Sequence, residues 1–289
     1  MRPVSFAALV GLLSPALAAA QSPCRVPTAS NEAKLLYYYA VPLAFSMPVR
    51  PPHMGSGSIA IGGDLTYIPE PPRDIQTTSL CYSPPKTEAS NLSPVLPRPR
   101  LSVGLPFGFV AEVSYLPPVT VSGATPDLFS AALSTEFLST LLAATPIRFL
   151  LRAHATVGKV EGAITCSKGM LQQRTRLESC FGTTPSKDTY EPNIFGGEAA
   201  LAFGAPGGRI GAYLGGGATS LNPKFQVGFT SQDGAVDTTR VEPSGRVIRP
   251  VFLAGGWVQP ISRIDLGVQL YSVPADLTVV RVGANFKIR

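Results

Sequence analysis

The chain is poor in charged residues and in histidine, and both shortages restrict what it can be. Aspartate, glutamate, lysine and arginine make up 15% of the 289 residues, whereas a soluble domain usually carries about 25%. The only histidines are His53 and His154, and no C-x-x-C spacing is present, so we expect no metal site. The formal net charge of +6 comes without a cluster of lysine and arginine, which argues against a nucleic-acid partner.

Long apolar runs are missing after the first twenty residues. Behind Arg2, residues 4–17 form a short apolar core, and Ala18 to Ala20 offer a small-residue cleavage site. This stretch is too short for a convincing membrane-spanning helix. We therefore expect residues 1–20 to be a signal peptide and the exported chain to begin near Gln21.

Glycine and proline are abundant instead, with 28 and 29 copies, and both residues break helices and mark turns. Between them, apolar and polar residues alternate with the period of two that is typical of half-buried strands. We count ten candidate strands, at residues 57–69, 98–106, 107–117, 127–138, 147–164, 193–204, from 209 onward, 239–259, 263–273 and in the last nine residues.

The connections between these strands alternate in length. Short turns are predicted at 106–108, 139–145, 205–208 and 260–262, whereas the intervening connections are mostly longer. Transmembrane barrels have an even strand number, short periplasmic turns and long outer loops. The alternation therefore predicts that the first strand starts, and the tenth ends, on the periplasmic side.

Three of the strands that are predicted to run from the periplasmic side to the outer side end in a tyrosine that is followed closely by proline. Tyr67, Tyr115 and Tyr271 suit the lipid–water boundary, where the ring meets an apolar phase and the hydroxyl meets water. Tyr271 has the wrong parity for the lipid face unless a bulge intervenes.

The C-terminal strand carries the most specific motif. From Arg281 to Arg289, polar and apolar residues alternate, and the pattern polar–x–Gly–x–x–apolar–x–apolar is matched by Arg281, Gly283, Phe286 and Ile288. In this strand the chain resembles small bacterial outer-membrane β-barrels, although many of those end on an aromatic residue. The resemblance implies an all-β, up-and-down transmembrane barrel in the outer membrane, with membrane lipid and the barrel assembly machinery as partners.

Charged side chains fall on the inward face of the predicted strands. Because lone buried charges are costly, they should pair in a ladder that closes the lumen. A narrow arginine-lined path for anions is the alternative. The set is Asp64, Arg98, Arg100, Glu112, Glu136, Arg148, Arg152, His154, Glu198, Arg249, Arg263, Asp265, Arg281 and Lys287.

His154 is the obvious catalytic candidate within this set. The strand count is similar to that of the omptin outer-membrane proteases, which use aspartate and histidine, but no paired acidic motif lies beside the histidine here. The glycine runs at 55–57 and 215–217 lack the lysine and the helix start of a phosphate loop. We therefore expect no cofactor, and an enzyme is the less favoured interpretation.

Residues 21–56 precede the first predicted strand and contain a candidate helix. Ser30 or Asn31 can cap a helix that Pro42 limits to about residue 40. The segment is a periplasmic leader, an additional strand or a plug that enters the lumen.

Four cysteines in an exported chain indicate disulfides. Cys166 and Cys180 would close a short loop, which leaves Cys24 to pair with Cys81. The second bridge would favour the plug, because Cys81 lies in a predicted outer loop.

Three functions follow from residues 57–289 as an outer-membrane barrel. The first is a non-enzymatic protein that is structural or binds an extracellular ligand through disulfide-braced outer loops. The second is a narrow channel or transporter for small solutes or apolar molecules, and the third is a surface hydrolase that uses His154. A secreted β-sandwich is the rival architecture, and it would need its apolar faces to meet across a core.

Overall fold

A computed structural model describes residues 22–47, 49, 54–82, 86–87, 94–137, 147–204 and 208–288. The predicted signal peptide, His53 and the turn at 139–145 lie outside these residues.

Ten strands of the described residues form one closed antiparallel barrel. Each pairs with its neighbours along the chain, and the last closes on the first through a ladder from Val280–Tyr67 to Lys287–Ala60. We number the barrel strands β1 (Ile59–Tyr67), β2 (Val95–Gly104), β3 (Phe109–Leu116), β4 (Ala124–Phe137), β5 (Ile147–Gly162), β6 (Ile194–Gly204), β7 (Ile210–Leu221), β8 (Val247–Ile261), β9 (Ile264–Val273) and β10 (Leu277–Lys287).

The outer face of the barrel is apolar on every strand. Successive side chains of a strand point to opposite faces, and those that point outward include the exposed residues Ile61, Leu133, Leu214 and Val282. A closed barrel leaves no unpaired sheet edge in lipid, and such a belt is the surface that a bilayer requires. The predicted outer-membrane barrel is confirmed, and the β-sandwich is wrong because the sheet closes on itself.

The predicted strand at 239–259 is wrong as a single element. Arg240–Pro243 is a separate short strand, and β8 begins only at Val247 after a bend at Ser244 and Gly245. The bend turns the first part of the stretch out of the barrel wall. Pro243, Ser244 and Gly245 are a turn signal at this point, which the prediction of one continuous strand did not take into account.

The two ends of the barrel differ. At the short-turn rim lie the start of β1 and the end of β10, together with tight turns such as the one between β8 and β9. At the long-loop rim, four short strands build an extra sheet that extends from β5: Cys24–Val26, Asp188–Glu191, Lys224–Gln226 and Arg240–Pro243.

Two disulfides brace the long-loop rim. Cys24 is bonded to Cys81 and Cys166 to Cys180, the pairings that the sequence favoured. The first bridge ties the beginning of the chain to the connection between β1 and β2.

From this rim the chain turns inward. Helix α1 (Asn31–Ala40) and a 3₁₀ turn (Val41–Leu43) lead into an extended stretch at 44–47 that is buried inside the barrel. We call residues 41–47 the inner segment. In the part of the chain that the structure describes, no helix has both the length and the apolarity to span a membrane.

Candidate functional site

Helix α1 is fixed at the long-loop rim by its first turn. The Ser30 hydroxyl accepts a hydrogen bond from the Ala33 amide at 3.3 Å, which caps the helix as the sequence predicted. The Asn31 amide donates to the carbonyls of Asp74 and Thr77. The helix is therefore anchored to the connection between β1 and β2, close to the Cys24–Cys81 bridge.

The inner segment is held by arginines of the barrel wall. Arg98 of β2 donates to the carbonyls of Leu43 and Ala44, each at 3.1 Å. Arg281 of β10 approaches the carbonyls of Val41 and Pro42 at 3.4 and 3.3 Å. Backbone oxygens of a non-helical stretch thereby find donors inside the barrel, as buried carbonyls require.

Phe45 of the inner segment is surrounded by three arginines of the barrel wall. Its ring is fully buried, and the guanidinium carbons of Arg98, Arg100 and Arg152 lie 5.5, 4.2 and 5.3 Å from its centroid. Cations within about 6 Å of an aromatic face are attracted to it, more strongly when desolvated.

Two carboxylates balance these arginines. Glu112 of β3 pairs with both Arg100, at 2.9 Å, and Arg152, and Asp64 of β1 pairs with Arg100 at 3.2 Å. All of these side chains are almost completely buried. The structure therefore joins four of the predicted interior charges, from strands β1, β2, β3 and β5, in one network.

His154 belongs to a second cluster. Its Nε2 atom lies 3.2 Å from Glu198 Oε1, and Ser46 of the inner segment donates to Glu198 Oε2 at 3.1 Å. Gln269 donates to the Ser46 hydroxyl. The serine thus contacts the carboxylate and not the imidazole, whereas nucleophilic catalysis needs the base beside the nucleophile. His154 is also fully buried, so a substrate has no access to it in this arrangement.

Five predicted interior charges pair nearer the rims. Arg148 lies 3.5 Å from Glu136, and Lys287 lies 3.2 Å from Asp265. Arg249 pairs at 3.1 Å with Asp276, a partner that the sequence did not suggest because it lies in the turn between β9 and β10. Burial raises the pKa of the Asp276 carboxyl above its usual value, and Arg249 opposes that shift.

Arg263 is a correction. It was predicted to point inward, but it is exposed in the tight turn between β8 and β9. Strand alternation fails at a turn, and the ladder of β8 and β9 also shifts register between Val258 and Ile261.

The C-terminal motif has two faces. Arg281 points into the lumen, where its guanidinium lies 4.6 Å from the Tyr271 ring, and Phe286 and Ile288 are exposed on the outer face. Gly283 pairs with Gly267 in β9. Recognition of this strand by the assembly machinery stays a prediction. Tyr67 and Tyr115 are exposed as boundary residues, whereas Tyr271 is fully buried.

A cavity of about 250 Å³ lies between helix α1 and the barrel wall at the long-loop rim. We call it the rim pocket. The helix side contributes Leu35, Leu36, Tyr39 and Leu43, and most of the remaining lining is aliphatic or aromatic. Wall and loop residues of the lining are Ile68, Thr78, Tyr82, Leu96, Pro97, Leu116, Pro117, Val119, Val121, Ala124, Pro126, Val160, Ile164, Tyr190, Phe225 and Val241, and Glu32 comes from the helix.

The polar groups of the rim pocket are engaged with the protein. Glu32 Oε1 accepts from the amides of Ser79 and Leu80 at 2.7 and 2.8 Å. The Tyr190 hydroxyl donates to the Leu36 carbonyl at 2.7 Å, and burial raises the pKa of this phenol well above its usual value, so it stays protonated. The pocket therefore offers an occupant apolar contact more than hydrogen bonds.

Sequence reasoning missed the rim pocket. Its lining comes from helix α1, from strands β2 to β5 and from the rim sheet, which meet only in the folded molecule. The local signal was the run of apolar residues in α1, which is more apolar than a solvated leader requires. No group of three or more histidine, cysteine, aspartate or glutamate side chains in the described residues could hold a metal ion.

Comparison with known proteins identifies no relative by sequence: no family model and no curated protein matches the chain. Solved structures with a similar fold include Ail, the attachment invasion locus protein of Yersinia pestis, at 10% identity over 81% of this chain and 100% of that chain, with a TM-score of 0.29. Neisserial surface protein A follows at 10% identity over 80% and 96%, with a TM-score of 0.30.

The P. putida toluene transporter TodX is similar at 8% identity over 81% of this chain and 90% of that chain, with a TM-score of 0.28. All three are too distant to support an inference about function.

Proposed function

We propose that this outer-membrane barrel binds a small, neutral, apolar molecule in the rim pocket and so captures it at the outer face of the membrane. The observation that carries the proposal is the rim pocket itself, an apolar cavity of about 250 Å³ between helix α1 and the wall. Ligand pockets are typically concave and mostly apolar, with few polar groups.

The volume of the rim pocket limits the size of the ligand. An apolar cavity of roughly 150 Å³ stays dry and takes up benzene. The rim pocket, at about 250 Å³, therefore suits two fused aromatic rings or an aliphatic chain of similar bulk. Because Glu32 and Tyr190 are already bonded to the protein, a ligand with many donors or acceptors would leave its own groups unsatisfied.

The contents of the lumen favour binding over an open pore. The inner segment lies across the barrel, and its backbone is bonded to Arg98, Arg152 and Thr156. A solute that moved along the barrel axis would have to break these bonds. Binding at the rim requires no such change.

The test uses 2-(trifluoromethyl)naphthalene with the purified protein in lipid nanodiscs. The probe dissolves in lipid, and a second ¹⁹F resonance that saturates with probe is expected from the bound population. Val160→Trp fills the rim pocket from β5 and should lower the bound fraction at least tenfold. Val157→Trp, on the exposed outer face of the same strand, should bind like the parent protein.

Either of two results would refute the proposal. The first is a parent protein without a bound resonance. The second is a bound resonance that Val160→Trp leaves unchanged, because the probe would then occupy another site.

A further inference from the structure

One pair of neighbouring strands is joined much more weakly than the others. β2 and β3 share only four residue pairs, from Leu101–Val113 to Gly104–Val110. The other neighbouring pairs of the barrel share eight to fourteen. Among the described residues, Leu96 to Arg100 of β2 remain paired with β1 but have no ladder partner in β3.

Proline explains where the ladder stops. Leu105 donates its amide to Phe109 at 2.8 Å, whereas Gly104 donates to Ser58 on the other side. Successive amides of a strand point in opposite directions. The backbone N–H groups of the odd-numbered residues of β2 therefore point towards β3. Two of those positions are Pro97 and Pro99, which have no N–H to donate.

Continuing the register gives the residues of β3 that the two prolines would face. Leu101 pairs with Val113, so Pro99 comes opposite Tyr115 and Pro97 comes opposite Pro117. In the last of these rows neither residue has an amide hydrogen. We call this unpaired part of the wall, from the Pro99–Tyr115 row to the Pro97–Pro117 row, the β2–β3 seam.

The seam borders the rim pocket. Leu96 and Pro97 on one side of the seam, and Leu116 and Pro117 on the other, line the pocket. On the outer surface Pro97, Pro99, Tyr115 and Pro117 are all exposed. Pro97 and Pro117 therefore belong both to the pocket lining and to the outer surface.

The height of the seam places it at the edge of the bilayer. Tyr115 and Tyr67 are half-exposed on the outer face, at 50% and 55%, and aromatic belts mark the membrane–water boundary. Val119 and Val121, in the connection just above β3, are also exposed. An apolar molecule dissolved in the outer leaflet would therefore meet apolar side chains at the seam.

We propose that the β2–β3 seam is a lateral portal through which the rim pocket exchanges a small apolar ligand with the outer leaflet. This inference rests on the proposed function, because it requires the rim pocket to hold such a ligand. The inner segment blocks the route along the barrel axis, and the seam is the stretch of wall beside the pocket where no ladder bonds must break.

The test measures the exchange of 2-(trifluoromethyl)naphthalene between lipid and pocket by ¹⁹F saturation transfer in nanodiscs. Pro99→Val, outside the pocket lining, returns an amide to the side of β2 that faces β3. Exchange should slow at least tenfold while the bound fraction at equilibrium stays the same. Pro250→Val, on the exposed face of β8 away from the pocket, is the matched control and should exchange at the parental rate.

A second variant closes the seam after folding. Every native cysteine in the described residues is in a disulfide, so Pro99→Cys/Tyr115→Cys can be bridged selectively with a short bis-maleimide. Bridging should slow exchange at least tenfold relative to the same protein before bridging. Val268→Cys/Val282→Cys, an exposed pair across β9 and β10, controls for the cross-link.

The outcomes separate the two proposals. A bound resonance with an exchange rate that bridging does not change would overturn the lateral portal and leave the pocket in place. A parent protein without any bound resonance would overturn both. Slower exchange in the bridged seam variant alone, at an unchanged bound fraction, supports the portal.

Discussion

The imidazole of His154 lies against Gly196, its partner in the neighbouring strand. The two residues pair across β5 and β6, and a Cβ atom at position 196 would come 2.3 Å from His154 Nε2. The glycine therefore provides the space in which the ring reaches Glu198. The absence of a side chain at Gly196 is therefore as necessary for this buried cluster as its charged groups are.

Gly196→Ala should destabilise the barrel by about 1–3 kcal/mol, the usual cost of overpacking a filled interior. The imidazole or the backbone must shift, since a contact of this length is not tolerated. Urea unfolding in lipid vesicles measures the change. Gly197→Ala is the matched control, because its Cβ would meet nothing closer than the Arg152 carbonyl at 3.9 Å; equal losses in the two variants would contradict the explanation.

Glu112 should be the most sensitive carboxylate of the lumen, because it serves both Arg100 and Arg152. Glu112→Gln leaves two buried guanidinium groups short of negative charge, and removal of one partner from a buried ion pair costs about 3–5 kcal/mol. Urea unfolding of the refolded protein tests this. Glu161→Gln makes the same change in an exposed pair with Lys159 and should cost less than about 1 kcal/mol.

Features that follow from the local sequence pattern could be predicted, whereas features that depend on neighbouring strands or distant contacts could not. Strand alternation is local, so the outward apolar residues and the inward placement of Asp64, Glu198 and Arg281 could be predicted from it. The rule fails where geometry is not that of a strand, as for Arg263 in a turn. It also says nothing about the two prolines of β2, whose effect depends on which neighbour their nitrogen atoms face.

The inner segment shows the same limit more clearly. The sequence predicted a helix that is capped at Ser30. It left open whether the segment around this helix is a periplasmic leader, an additional strand or a plug in the lumen. Its place depends on contacts over more than a hundred residues, such as Thr156 with the Leu43 carbonyl. Neither period nor propensity carries such information.

Asp276 should give the rim a measurable pH dependence. Burial raises the pKa of its carboxyl in the folded protein, so the folded state binds a proton more readily than the unfolded chain does. The corresponding contribution to stability is present below the unfolded pKa of about 3.9 and is lost as pH rises through the folded pKa. Urea unfolding at stepped pH should show this loss in the parent protein and not in Asp276→Asn. Asp237→Asn, in another outer connection, should keep the parental profile, and a parental profile in Asp276→Asn would refute the assignment.

Phe45 should keep the lumen closed to ions. Its ring faces three arginines, and Phe45→Ala removes these contacts and leaves a void at the centre of the inner segment. We expect the variant to show intermittent conductance in planar bilayers at a frequency at least tenfold above that of the parent protein.

The selectivity of that conductance follows from the charges that the inner segment covers. Among the described buried residues near it, Arg98, Arg100, Arg152 and Arg281 face Asp64, Glu112 and Glu198, which leaves an excess of positive charge. In a potassium chloride gradient across the bilayer, the reversal potential of Phe45→Ala should therefore lie towards the equilibrium potential of chloride, which indicates anion selectivity. Phe252→Ala, on the exposed outer face of β8, should behave like the parent protein. A cation preference would mean that ions pass elsewhere than beside these arginines.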